Sequence, residues 1–79
     1  MDNKETYKNC FKVSFSLDDG TDIESLKYEK ITEWDSIGHM SLMAEIEEVF
    51  NISIDTDDII EFGSYEIGIK ILKKYEVLI

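Results

Sequence analysis

The chain has 79 residues, and 18 acidic against 8 basic side chains give it a formal net charge of −10 at pH 7. This charge excludes the basic footprint that nucleic-acid binding and attraction to anionic membranes require, and no apolar stretch approaches the ~20 residues of a membrane span. Hydrophobic residues make up 43% of the chain, too many for a disordered acidic tail, and predict one small domain over residues 1–79.

The first predicted element is a helix from about Tyr7 to Leu17, because apolar residues there follow helical spacing. Val13, Phe15 and Leu17 also alternate, so a short strand remains open locally. Cys10 lies on the apolar face and is predicted to be a small core residue. As the single cysteine, it excludes an internal disulfide and a cysteine-based zinc cluster.

Glycine and short acidic residues at 18–22 favour a turn, and residues 21–35 are predicted to form a long ordered loop. The loop is too apolar for a free linker, so its apolar side chains are expected to pin it across the helices. Trp34 is expected to anchor the end of the loop against the bundle. Loops of this length in small domains often have a function. The apolar loop residues are Ile23, Leu26, Tyr28, Ile31 and Trp34.

The second helix is the clearest predicted element, running from Ser36 to about Phe50. Asp35 is the candidate N-cap, and Asn51 fits a left-handed C-cap. A stripe of Leu42, Ile46, Val49 and Phe50 gives the helix an apolar face.

After an extended link at 52–54, acidic residues precede a short predicted helix, about Thr56 to Glu61. Ser64 is a candidate N-cap for a last helix from about Tyr65 to Lys74. Alternating isoleucines in this last segment also fit a strand, but lysines in its final turn favour a helix. The predicted fold is therefore an all-α bundle of three longer helices and one short helix, with a long loop between the first two. Its weakly packed interior is expected to be lined by Phe11, Leu42, Ile46, Phe50, Ile59 and Leu72.

One serine stands where the long loop becomes the second helix, in the run Trp34-Asp35-Ser36-Ile37-Gly38-His39-Met40. By its position alone, Ser36 is an ordinary helix-capping serine. The run resembles the attachment site of acyl carrier proteins, and the order of helices matches that family over nearly the whole chain. The resemblance implies an acyl-carrier-like bundle in which Ser36 bears a covalent 4'-phosphopantetheine arm transferred from coenzyme A. It also implies that the transferase recognises Asp35, and that acyl groups travel as thioesters on a protein that is itself no enzyme.

The resemblance further implies a surface that meets basic patches on the phosphopantetheinyl transferase and on acyl-loading and acyl-transferring enzymes. Glu47, roughly three helical turns from Ser36, is the better candidate of the two docking acids. Met40 suits an adaptable interface, although core packing is an equal alternative. The predicted partner-binding residues are Ile37, Met40, Ala44, Glu47 and Glu48.

Two positions depart from the housekeeping fatty-acid carriers, which usually have acids where this chain has Gly38 and Ser41. Gly38-His39 instead resembles carriers of polysaccharide, lipid-modification or secondary-metabolite pathways, so a specialised carrier is expected. An aminoacyl or peptidyl carrier with the same arm is the nearest alternative. An acidic helical adaptor without a prosthetic group is the alternative from another class.

Catalytic and metal sites are not predicted. His39 follows Ser36 closely enough to suggest a small hydrolase, but no oriented third residue is evident, and His39 is expected at the surface. The aspartates at 18–22 lack the twelve-residue calcium loop with its distal glutamate. We expect a cytoplasmic monomer, because the N-terminus lacks a secretory pattern and the charge opposes self-association.

Overall fold

The computed structural model describes residues 2–79. They form four α-helices and one 3-10 turn at Ile23–Ser25. The helices are α1 (Asn3–Phe15), α2 (Ser36–Phe50), α3 (Thr56–Glu61) and α4 (Tyr65–Lys73).

The predicted all-α bundle of three longer helices and one short helix is confirmed, with lengths of 13, 15, 6 and 9 residues in chain order. Over residues 2–79, β-structure is limited to an isolated bridge between Lys27 and Ser64. No helix in this part of the chain has the length and apolarity needed to cross a membrane.

The first helix begins four residues before the predicted start and ends two residues before the predicted end. Asp2 caps it by accepting a hydrogen bond from the Glu5 amide at 2.9 Å, a signal that the apolar periodicity does not contain. Ser16 then adopts a left-handed conformation with φ 54°. The Leu17 amide donates back to the Lys12 carbonyl at 3.1 Å, so the chain leaves the helix in a Schellman-type turn.

The predicted ends of α2 and the start of α4 are confirmed. Asp35 caps α2, and Asn51 ends it with φ 54° and ψ 52°, a left-handed conformation that asparagine tolerates. Ser64 caps α4 by accepting from the Ile67 amide at 3.0 Å. These caps lie in the local sequence, which is why periodicity and capping rules located them.

The core is filled by aromatic rings. Trp34 is completely buried, and its ring packs against Phe11 and Phe15 at centroid distances of 5.5 and 5.4 Å. Cys10 is buried as predicted, and burial raises the pKa of its thiol to about 12. Four of the six predicted core residues are completely buried, while the other two, Phe50 and Ile59, are only partly buried at the margin. The four are Phe11, Leu42, Ile46 and Leu72.

Gly68 in α4 makes room for two aromatic side chains of the core because it has no side chain of its own. A Cβ atom at Gly68 would overlap the Tyr7 hydroxyl and the Phe62 ring. Beside Gly68 the Tyr7 hydroxyl donates to the Tyr65 carbonyl at 2.7 Å, and burial raises the pKa of the Tyr7 phenol. The phenol therefore stays protonated and joins the two helices by a buried hydrogen bond.

The long loop is pinned to the bundle as predicted. Ile23, Leu26 and Trp34 are buried. The loop backbone also pairs with the segment that enters α4, because the Tyr28 amide donates to the Gly63 carbonyl at 2.9 Å and the Tyr65 amide to the Leu26 carbonyl at 3.0 Å. These contacts fix the loop beside the start of α2.

Candidate functional site

Ser36 is the first residue of α2 and is exposed to solvent. The Asp35 carboxylate precedes it and accepts a hydrogen bond from the Gly38 amide at 2.8 Å. The cap uses an aspartate oxygen instead of the serine hydroxyl, so Ser36 is not the N-cap of its own helix. Its hydroxyl is available for other chemistry at the positive end of a 15-residue helix.

Gly38 is required by the way the loop meets α2. A Cβ atom at this position would overlap the backbone carbonyl oxygen of Glu33 and lie 3.3 Å from the Phe15 ring. The glycine that departs from the housekeeping carrier pattern is therefore explained by packing. An acidic side chain at this position would push the end of the loop away from the helix.

The Ser36 hydroxyl lies 3.2 Å from the hydroxyl of Tyr28, within hydrogen-bond distance. Tyr28 was predicted only as a loop anchor, and the contact with the serine was not foreseen. The seven residues between them belong to an irregular loop, and no periodicity relates residues across such a loop. The contact follows from the pairing of the loop with the start of α4.

The prediction that His39 lies at the surface is wrong. His39 is 8% exposed, and both ring nitrogens are engaged: the Trp34 indole donates to Nδ1 at 2.9 Å, and Nε2 lies 2.7 Å from the Ile59 carbonyl oxygen. Because the indole can only donate, Nδ1 is the acceptor and Nε2 carries the proton. The imidazole is thus neutral and joins the loop, α2 and α3.

The hydrogen bonds of His39 argue against the hypothesis that Ser36 and His39 form a small hydrolase. A general base for Ser36 needs a ring nitrogen free to take the serine proton. The acceptor nitrogen of His39 is occupied by Trp34, and the other nitrogen faces the Ile59 carbonyl. The geometry therefore gives His39 a structural role and does not form a serine–histidine pair.

A groove of about 430 Å³ opens beside Ser36, between α2 and α3. Its lining is mainly apolar, and Tyr28, Ser36 and His39 contribute polar side chains. Ile60 is 74% exposed at its edge and was not among the predicted site residues. Adjacent isoleucines at 59 and 60 on a six-residue helix were a usable signal, because a short surface helix cannot bury both. The groove is lined by Tyr28, Ser36, His39, Met40, Ile59, Ile60, Phe62 and Gly63.

Next to the serine, α2 presents apolar side chains to solvent. Ile37 is 79% exposed and Met40 is 54% exposed. Met40 is therefore a surface residue and not part of the core. Ala44 and Glu48 are also exposed, one and two turns further along the same face. Four of the five predicted partner-binding residues therefore form a continuous surface that begins beside Ser36. We call Ile37, Met40, Ala44 and Glu48 the α2 face.

Glu47, predicted as the better docking acid, is engaged inside the molecule. It is half-buried, and its Oε2 accepts a hydrogen bond from the Ile54 amide at 2.7 Å. The carboxylate thereby holds the extended link that follows α2. Helical periodicity placed Glu47 near the correct face but could not show that the returning chain would use its charge.

Among residues 2–79, no three histidine, cysteine, aspartate or glutamate side chains converge as a metal site would require. Comparisons of the chain with protein-family models, with curated proteins and with solved structures give no match. The functional argument therefore depends on the sequence around Ser36 and on the geometry described above.

Proposed function

We propose that this protein is a carrier whose Ser36 hydroxyl receives a 4'-phosphopantetheine arm from coenzyme A. The arm would hold acyl intermediates as thioesters for the enzymes of a lipid, polysaccharide or secondary-metabolite pathway. The observation that carries the proposal is the exposed hydroxyl of Ser36 at the start of α2, capped by Asp35 instead of by itself. A separate enzyme can reach such a hydroxyl.

The surroundings of Ser36 suit a phosphopantetheine group. A phosphodiester is an anion, and the free amides and dipole at the start of a long helix favour it there. The neighbouring groove has a volume of about 430 Å³, which offers room for a flexible arm. When bound, the group would supply a thiol for thioester chemistry, while the chain's own residues would orient it and present it to partners.

The α2 face supports the same proposal. Exposed apolar side chains at Ile37 and Met40, followed by the exposed acid Glu48, suit partners with an apolar contact ringed by basic residues. With a net charge of −10, electrostatic steering would speed such encounters without demanding high affinity. Fast exchange between several enzymes is what a carrier requires.

The test is an intact-mass measurement after incubation with coenzyme A, Mg²⁺ and a promiscuous phosphopantetheinyl transferase. The wild type is expected to gain one phosphopantetheine, and Ser36→Ala none. Ser41→Ala is the matched control, because it removes an exposed serine hydroxyl from the same helix, and it is expected to gain one group like the wild type. Circular dichroism establishes that each variant is folded.

Absence of a mass gain in the folded wild type would contradict the proposal and favour the acidic adaptor. A gain in Ser36→Ala would contradict the assignment of the serine. If the wild type is modified, loading with acyl or aminoacyl groups distinguishes the acyl carrier from the aminoacyl or peptidyl carrier.

A further inference from the structure

The hydrogen bond between the Tyr28 and Ser36 hydroxyls lies at the exposed surface and is not one of the contacts that hold the fold together. Both side chains reach the edge of the groove beside α2, and their hydroxyl oxygens lie 3.2 Å apart. An exposed serine at a helix start otherwise distributes among staggered rotamers. A hydrogen bond from a fixed neighbour selects one of them.

Tyr28 is held in place by both its backbone and its ring. Its amide donates to the Gly63 carbonyl at 2.9 Å. The ring meets the His39 imidazole edge-on, with centroids 5.3 Å apart, and the Trp34 indole edge-on at 6.4 Å. His39 and Trp34 are themselves buried and hydrogen-bonded to each other. The tyrosine hydroxyl is therefore a preorganised group at the serine.

The direction of this hydrogen bond follows from the chemistry of the two groups. Either hydroxyl can donate in this pair, and because a phenol is a stronger hydrogen-bond donor than an aliphatic alcohol, the arrangement with Tyr28 as donor and the Ser36 oxygen as acceptor is favoured. The serine's own proton then points away from Tyr28, toward solvent and an approaching enzyme. This leaves the serine oxygen oriented and its proton accessible to a base.

We propose that Tyr28 is the positioning residue for Ser36, both when the serine is modified and in the modified protein. This inference rests on the proposed function. In the transfer, the Ser36 oxygen forms a bond to the β-phosphorus of coenzyme A, and the pyrophosphate P–O bond breaks. The 3',5'-adenosine diphosphate leaves with the electron pair, and the serine proton passes to a base of the transferase.

After the transfer, the serine oxygen belongs to a phosphodiester and has no hydrogen to donate. Tyr28 does have one, and at this distance it can donate to an oxygen of the phosphodiester. A hydrogen bond to an anion is stronger than one between neutral hydroxyls. Tyr28 would therefore hold the first oxygen atoms of the arm as well as the hydroxyl before modification.

The test compares wild type with Tyr28→Phe, which keeps the ring and removes the hydroxyl. Steady-state transfer with coenzyme A, Mg²⁺ and the transferase is expected to show kcat lowered about five- to tenfold, the effect of losing one hydrogen bond that orients the reacting atom. KM for the carrier is expected to change little, since the α2 face is untouched. The ³¹P resonance of the modified Tyr28→Phe protein is expected to shift from that of modified wild type.

Tyr65→Phe is the matched control. It removes a phenolic hydroxyl that is buried and has no hydrogen-bond partner among residues 2–79. The Tyr65 ring packs on Tyr7 and Phe11. It is expected to leave both kcat and the ³¹P resonance as in wild type. Equal kcat, or an equal ³¹P resonance, in Tyr28→Phe and wild type would overturn the positioning role of Tyr28 and would leave the proposed function untouched. Failure of the wild type to accept the group would instead overturn the proposed function.

Discussion

At the scale of single residues, the start of α2 is decided by the absence of a side chain. Gly38 lets the carbonyl of Glu33 lie against the helix, so the loop ends tightly and delivers Asp35 and Ser36 in the correct order. Asp35 then completes the cap with its bond to the Gly38 amide. The site therefore depends on a glycine that has no chemistry of its own.

Gly38→Ala is expected to destabilise the protein by about 2 kcal/mol or more, because the added methyl group meets backbone that cannot move aside as a side chain can. Gly20→Ala is the matched control, since a Cβ there meets only a side-chain oxygen at 3.6 Å, and it is expected to stay within about 0.5 kcal/mol. Urea unfolding measures both. Equal stability of Gly38→Ala and wild type would contradict the close approach.

At the scale of elements, two polar links hold the short helix α3, which is too short to be stable alone. The first is His39, which bridges the Trp34 indole and the Ile59 carbonyl. The second is Asp58, which accepts hydrogen bonds from Lys74 and from the Tyr75 hydroxyl at 2.6 Å. Together they fix α3 against α2 on one side and the end of α4 on the other, which shapes the groove beside Ser36.

His39→Ala is expected to lower the free energy of unfolding by about 1–3 kcal/mol, because it leaves the buried Trp34 indole N–H without its acceptor. The Ile59 carbonyl loses the imidazole as a donor but keeps the Phe62 amide at 3.4 Å. Met40→Ala, an exposed position on the same helix, is the control and is expected to cost less than about 0.5 kcal/mol. Urea titration followed by Trp34 fluorescence reports both stability and the environment of the indole. A His39→Ala protein as stable as the control would contradict the bridging role.

The Asp58 link predicts a pH dependence. The Lys74 ammonium, and then the Tyr75 hydroxyl, hold the pKa of the Asp58 carboxyl below its usual range. Since the pKa in the unfolded chain is the ordinary one, this stabilisation is present above that ordinary pKa and is lost as pH falls through the lowered value. Asp58→Asn removes it.

The stability difference between wild type and Asp58→Asn is therefore expected to be largest near neutral pH and to shrink below about pH 4. Thermal or urea unfolding across this range provides the measurement. Asp57→Asn makes the same change of charge at an exposed neighbour and is expected to cost less at neutral pH. A wild-type advantage over Asp58→Asn that persists unchanged into acid would contradict the assignment.

At the scale of the whole molecule, charge and compactness oppose each other. A formal charge of −10 is confined to a fold whose Cα radius of gyration is 11.3 Å. The repulsion between like charges favours expansion of the chain and opposes self-association. The packing of the buried aromatic cluster around Trp34 opposes the expansion. Partners with basic surfaces would relieve the repulsion on contact, in keeping with the proposed carrier function.

Raising the salt concentration from about 10 mM to about 0.5 M is expected to stabilise the protein by about 1 kcal/mol, because ions screen the repulsion. The double variant Glu48→Lys/Glu61→Lys is the control. Each reversal at these exposed helix ends adds two charge units, so the formal charge rises from −10 to −6 and the salt response is expected to weaken. An equal response in both proteins would contradict self-repulsion as the cause. Sedimentation under the same conditions tests the predicted monomer.

Local sequence determined the elements of this protein. Apolar periodicity and capping residues located α2, α3 and the start of α4, because both signals lie within a few residues of the ends they mark. Apolar residues in the loop likewise predicted that Trp34 would be buried. The start of α1 was misplaced, since Asp2 caps the helix before its apolar stripe begins.

Only the tertiary structure decided how side chains far apart in the chain are used. Nothing near His39 indicated that the Ile59 carbonyl would meet it, that Glu47 would bind the Ile54 amide, or that Tyr28 would reach Ser36. In each case a partner is brought in by an irregular segment or by another helix. Periodicity describes one element at a time, whereas burial and hydrogen bonding at the site depend on where the elements meet.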